Sequence, residues 1–97
     1  MKTREDILKI LQECKPKLVK RFALTRLALF GSYAREDYQK NSDVDILVEV
    51  APTIGLEFVE LAEEIEAALG MPTDVVSRRA IKPRYWNQIQ EDLIDVA

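Results

Sequence analysis

Residues 25–50 read TRLALFGSYAREDYQKNSDVDILVEV, and this stretch decides the fold. An apolar run, Arg26 to Phe30, stops at Gly31-Ser32. A polar segment follows, and Asp43 and Asp45 then open a second apolar run with Val44, Ile46, Leu47, Val48 and Val50. The first run is short and glycine-terminated, which predicts a buried strand. The second alternates and then becomes nearly continuous, as a central strand does. Between them, Ser32 is a suitable N-cap for a short helix reaching about Asp37, and residues 38–42 form a polar loop.

Working outward, the remaining elements alternate in type. Thr3 caps a first helix, with Glu5 and Asp6 at its positive end and Ile7, Leu8, Leu11 and Cys14 on one face. Pro16 is expected to break or re-cap it before Leu18, Val19 and Phe22. Residues 56–69 carry a helical stripe of Phe58, Leu61, Ala62, Ile65, Ala68 and Leu69, closed by Gly70. Residues 74–77 predict a third strand. Pro83 opens a last helix through Tyr85, Trp86 and Ile89, ending near Glu91. Residues 93–96 read equally as a helix tail or a short strand. The order α-β-α-β-α-β-α implies a mixed α/β domain in which helices flank a small sheet.

Bulk properties narrow the function. Ninety-seven residues with 47% hydrophobic content suit one domain, residues 1–97, with a modest core. The net charge of −3 is not the footprint of a general nucleic-acid binder, so no direct nucleic-acid contact is expected. A single cysteine and no histidine exclude a disulfide framework, zinc hydrolases and histidine-based triads. The start is charged and lacks an apolar signal core, and no stretch reaches membrane-spanning length. A cytoplasmic protein without a membrane partner is expected.

The chemistry lies at the two ends of the polar segment. Asp43 and Asp45, two apart in a strand, point to one side. Their mutual repulsion is relieved by a divalent cation, and all-oxygen ligation favours Mg2+ or Mn2+. Asp74, opening the next strand, can join them, and two metals would then clamp an in-line phosphoryl displacement. Gly31 allows close backbone approach, amides at the next helix start and the Ser32 hydroxyl can hold phosphate oxygens, and Arg35 adds a cation one turn on. Together these suit a metal–nucleoside triphosphate. Tyr38, in the loop between the motifs, is a candidate to stack on a base or simply an exposed side chain. Tyr85 and Trp86 are expected to pack in the core or beneath the last helix.

Gly31-Ser32, ten intervening residues and Asp43-x-Asp45, in a strand–turn–helix–strand setting, resemble the signature of the DNA polymerase beta-like nucleotidyltransferase superfamily. The GSYAR form, the short chain, Asp74 in TDVVS and the IKPR segment at residues 81–84 resemble its minimal nucleotidyltransferase (MNT) branch. The resemblance implies transfer of a nucleoside monophosphate to a hydroxyl with release of pyrophosphate. Asp43, Asp45 and Asp74 would be the catalytic, metal-holding carboxylates, with Asp74 also assisting the acceptor hydroxyl. Gly31 and Ser32 would hold the outer phosphates. It further implies ATP as donor and a type VII antitoxin role. There AMP passes to a tyrosine of a HEPN-domain toxin, an RNase, within a hetero-oligomer. Two other readings remain beside it: neutralisation by docking alone, through the acidic face of residues 56–69 or the basic segment 15–21, and transfer to a small-molecule hydroxyl.

Overall fold

The computed structural model describes residues 2–97. Helix α1 (Arg4–Phe22) leads to strand β1 (Arg26–Phe30), helix α2 (Gly31–Arg35), strand β2 (Val44–Glu49), helix α3 (Glu57–Leu69) and strand β3 (Thr73–Ser77). A 3-10 turn (Arg78–Ala80), helix α4 (Pro83–Asp92) and strand β4 (Ile94–Asp95) complete the chain. The sheet order is β3-β2-β1-β4. β1 is antiparallel to β2 and β4, whereas β2 and β3 run parallel and are joined by α3. The mixed sheet flanked by helices is the architecture read from the sequence, with one strand added at the end.

Side-chain alternation gives the sheet two unlike faces. Leu27 and Leu29 of β1 and Val44, Ile46 and Val48 of β2 point to one side, where they pack with Ile7, Leu11, Leu18 and Phe22 of α1 and Leu61, Ile65 and Leu69 of α3. All are buried. The other face carries Arg26, Ala28, Phe30, Asp45, Leu47, Glu49, Asp74 and Val76 by the same two-residue period, with Ala28 and Leu47 buried. Helix α4 lies on that side and has no fully buried residue. The core is thus concentrated on one face, and the carboxylates stand on the face that is thinly covered.

Two expectations are corrected, and one reading left open at the chain's end is decided. Helix α1 continues through Pro16. Pro16 is exposed, so the carbonyl it leaves unpaired faces water, while Leu11, Leu18 and Phe22 on the opposite side are held by the core. Ser32 is not an N-cap: Phe30 occupies that position and α2 already includes Gly31. Residues 94–95 form a strand, with Ile94 opposite Leu29 and the Arg26 guanidinium fixed on Asp95 at 2.8 Å.

The two charged patches considered for docking meet each other. Arg21 donates to Glu64 at 2.6 Å and to Glu60 at 3.3 Å, and Lys17 lies 3.7 Å from Glu64. These pairs run from α1 to α3, so part of the basic segment neutralises part of the acidic face. Lys15 is likewise committed, donating to the Val96 carbonyl at 2.7 Å. Among the described residues, no helix is long and apolar enough to cross a membrane.

Candidate active site

Strand register builds the site. Asp45 is opposite Phe30 in β1 and opposite Asp74 in β3. Directly paired residues share a face, with neighbouring strands about 4.8 Å apart. Asp43 precedes β2 by one residue, and the Val44 amide already donates to the Pro72 carbonyl at 3.0 Å. Asp43 stands close enough for its charge to act on Asp45. Asp43 and Asp74 are exposed, and Asp45 is half-buried between them. The third acid, the least obvious from the sequence, is in register with the second.

Gly31 lies against this carboxylate. Its backbone has φ +77°, and a Cβ there would collide with the Asp45 carboxylate, 3.0 Å from Cγ and 3.1 Å from Cβ, with Oδ2 nearer still. The phosphate-side backbone and the central acid are consequently in van der Waals contact, which any side chain at residue 31 would prevent. Ser32 follows inside α2, its hydroxyl unused by any helix cap.

Arg35 reaches the same place with its charge already shared. Its Nε donates to Asp37 at 3.0 Å and one terminal nitrogen donates to Asp92 at 3.0 Å. A cavity of about 310 Å3 is lined by Gly31, Ser32, Arg35 and Asp45 from the motif and by Gln88, Ile89 and Asp92 from α4. A second cavity, about 420 Å3, lies beyond Asp45. Asp74, Val76, Ile81, Lys82, Tyr85 and Ile89 line it. The two share Phe30, Asp45 and Ile89. Nothing local to α4 signalled these walls, because its place relative to the carboxylates is a long-range matter.

The structure changes the reading of two aromatic residues, Tyr38 and Tyr85. Tyr38 stacks on buried Tyr33, ring centroids 4.1 Å apart and planes 10° apart, and so pins the polar loop to the core. One face of its ring is thereby occupied. Tyr85, expected to be packed away, is 47% exposed and lines the second cavity. Trp86 stays half-buried under two guanidinium groups, Arg78 at 3.7 Å and Arg26 at 5.8 Å from its ring centre.

Burial, then the charges of Asp74 and Asp43, push the Asp45 carboxyl up to about 6, against a smaller opposing pull from Arg35. Asp45 is thus protonated more readily in the folded chain than in the unfolded one. Stability from this source is complete below about pH 4 and is lost as pH rises through about 6. Ionising a half-exposed group displaced this far costs about 1–2 kcal/mol once solvent screening is allowed for. Asp45→Asn is therefore expected to raise the melting temperature of the metal-free protein by several degrees at pH 7.5, and hardly at all at pH 4. Thermal melts of both proteins across that range check it.

Among the described residues, no three potential ligands are already gathered at ligating distance. Even so, the donor set fits a hard divalent cation: all donors are oxygen, and the charge that raises Asp45 is the charge such a cation would neutralise.

Comparison with known proteins gives the family of the chain. The family described as nucleotidyltransferase domain matches residues 7–96. The chain is 43% identical over 98 residues to the protein adenylyltransferase MntA of Thermococcus cleftensis, covering 99% of this chain and 98% of that protein. Among solved structures it superposes with TM-score 0.71, at 28% identity, on a chain of a toxin–antitoxin complex crystallised with AMP-PNP, covering 89% of this chain and 72% of that one. A further match, TM-score 0.58 at 27% identity, is to a chain of the complex of tri-AMPylated Shewanella oneidensis HEPN toxin with MNT antitoxin, covering 97% of this chain and 68% of that one. By its fold, its motif and these relatives, the chain belongs to the nucleotidyltransferase family and is a nucleotidyltransferase of the minimal kind.

Proposed function

We propose that this nucleotidyltransferase is the antitoxin of a type VII pair and transfers AMP from ATP to a tyrosine hydroxyl of a HEPN-domain toxin. The observation that carries the reading is the contact of Gly31 with Asp45, together with the register of Asp45 and Asp74. The turn at Gly31, the central carboxylate and the outer carboxylate stand side by side, which supports a phosphate-binding role for the turn. The 43% identity to an adenylyltransferase and the likeness to toxin–antitoxin structures support ATP as donor and a toxin as acceptor.

The chain's own groups divide the work. The Gly31 backbone and the Ser32 hydroxyl bind the outer phosphates, and Arg35, aimed by Asp37 and Asp92, adds a cation at the same cavity. Asp43 and Asp45, with Asp74 on the far side, would hold Mg2+ or Mn2+, which supplies charge neutralisation at the phosphates. Pyrophosphate leaves on the Gly31 side, so an in-line attack brings the acceptor oxygen from the side of Asp74. Asp74 lines the second cavity and not the first, which supports its taking the acceptor's proton. The bond from the α-phosphorus to the bridging oxygen breaks as the bond to the tyrosine oxygen forms.

The test is to incubate the purified chain with a purified HEPN-domain toxin and ATP labelled at the α-phosphate. Label is expected on a toxin tyrosine, and chelation of divalent ions is expected to abolish it. Toxin silenced without label, with chelator making no difference, would instead mean neutralisation by docking.

A further inference from the structure

The arginines of this chain divide into two groups. Arg4, Arg21, Arg26 and Arg35 each form an ion pair with a carboxylate. Arg78, Arg79 and Arg84 form none among the described residues, and all three lie in residues 78–84, RRAIKPR, together with Lys82. Two of them sit on aromatic rings instead. Arg78 covers Trp86 at 3.7 Å, and Arg84 lies 4.9 Å from the centre of the Tyr85 ring and donates to its hydroxyl at 3.1 Å. Arg79, Lys82 and Arg84 are exposed.

This segment joins β3 to α4 and borders the site. Ala80, Ile81, Lys82 and Tyr85 line the second cavity, the one that holds Asp74. A run of like charges with no internal counter-charge is self-repelling, in a chain whose net charge is −3. The acids nearest the run are engaged elsewhere: Glu49, which shares a small cavity with Arg78 and Arg79, is paired with Arg26 at 3.1 Å, and Asp45 and Asp74, which share the second cavity with Lys82, belong to the carboxylate cluster, so the run stands open to an anion from outside. The phosphates of the donor are accounted for on the other side of Asp45, where Gly31, Ser32 and Arg35 stand. The acceptor side remains.

We propose that Arg79, Lys82 and Arg84 form a docking surface for an acidic segment of the protein acceptor, set apart in its sequence from the hydroxyl that is modified. This rests on the reading that the acceptor is a protein. Arg78 is a positioning residue here: stacked on Trp86, it fixes the connection against α4. Complementary charge of this kind accelerates encounter and selects partners more than it adds affinity, and salt weakens it.

The experiment uses the full chain and three fluorescent probes in anisotropy titrations at low and moderate salt. They are a peptide with a central tyrosine and glutamates towards one end, the same peptide with glutamines, and a single-stranded RNA of equal negative charge. The glutamate peptide is expected to bind about tenfold tighter than the glutamine peptide, a preference erased by salt. Arg79→Glu with Arg84→Glu should abolish the preference and lower kcat/KM for the protein acceptor, with KM for ATP unchanged. The milder Arg79→Gln with Arg84→Gln should show part of the loss and guards against misfolding. Equal binding of the two peptides, tighter binding of RNA, or a raised KM for ATP in the variants would each overturn the proposal. A charge-dependent peptide preference without any AMP transfer would keep the docking surface and remove the transfer reading. Transfer to a protein with no such preference would do the reverse.

Discussion

Asp43→Asn combined with Asp45→Asn is expected to reduce nucleotidyl transfer at least about a thousandfold, because both substitutions remove charge that faces the donor phosphates while leaving side-chain volume intact. The same protein is expected to melt at a higher temperature than the wild type at pH 7.5 in the absence of metal, since the crowding of Asp43, Asp45 and Asp74 is relieved. Lost activity in a firmer fold is a signature that unfolding cannot imitate, and it fits the general exchange between site chemistry and stability. Labelled-nucleotide incorporation and a thermal melt of the same preparation check both halves. Transfer within tenfold of wild type would remove Asp43 and Asp45 from the catalytic machinery.

Gly31→Ala is expected to be nearly as damaging for a different reason. The methyl group would occupy the position of the Asp45 carboxylate, and φ +77° is itself unfavourable for alanine. Either Asp45 swings away or the turn opens, and both outcomes separate phosphate grip from the central acid. Nucleotide binding should weaken and transfer should fall by at least about a hundredfold, since small misplacements of reacting groups are costly. Gly55→Ala provides the control. Gly55 also has positive φ, +60°, but a Cβ there meets nothing closer than the Thr53 carbonyl at 3.8 Å. It should cost about 1 kcal/mol of stability and leave transfer unchanged. Calorimetric titration with a non-hydrolysable ATP analogue, beside the transfer assay, separates the two glycines. Equal behaviour of both variants would mean that backbone strain alone, not the contact with Asp45, accounts for the loss.

Much of this site was legible along the chain because its signals are local. Alternation in residues 43–50 placed Asp43 and Asp45 on one side, and the glycine after β1 marked the close approach. Asp74 was recognisable as an acid at a strand mouth, although its pairing with Asp45 needed the parallel register to be seen. What escaped was set by distance in sequence. Arg35 was assigned to phosphate, but its partner Asp92 is 57 residues away, so its shared charge had no local trace. Tyr38 read as a free ring because its stacking on Tyr33 depends on how the loop folds back. Tyr85 read as packed because α4 is amphipathic, yet the apolar side of α4 meets a cavity. Two-residue strands such as β4 are too short to show a period, and α1 kept its course through Pro16 because packing outweighed the missing hydrogen bond.

The uneven cover on the two sides of the sheet has a consequence for how such a protein diversifies. Changes in α1 or α3 strike buried leucines and isoleucines and carry the penalties of core substitutions. Residues 78–92 include no fully buried side chain, so most replacements there fall in the range of surface substitutions. That same segment supplies Lys82, Tyr85, Gln88, Ile89 and Asp92 to the walls around the carboxylates. Descendants of one gene can therefore drift apart in what they recognise while inheriting an unchanged framework, and copies in one genome can acquire separate partners without first acquiring extra stability.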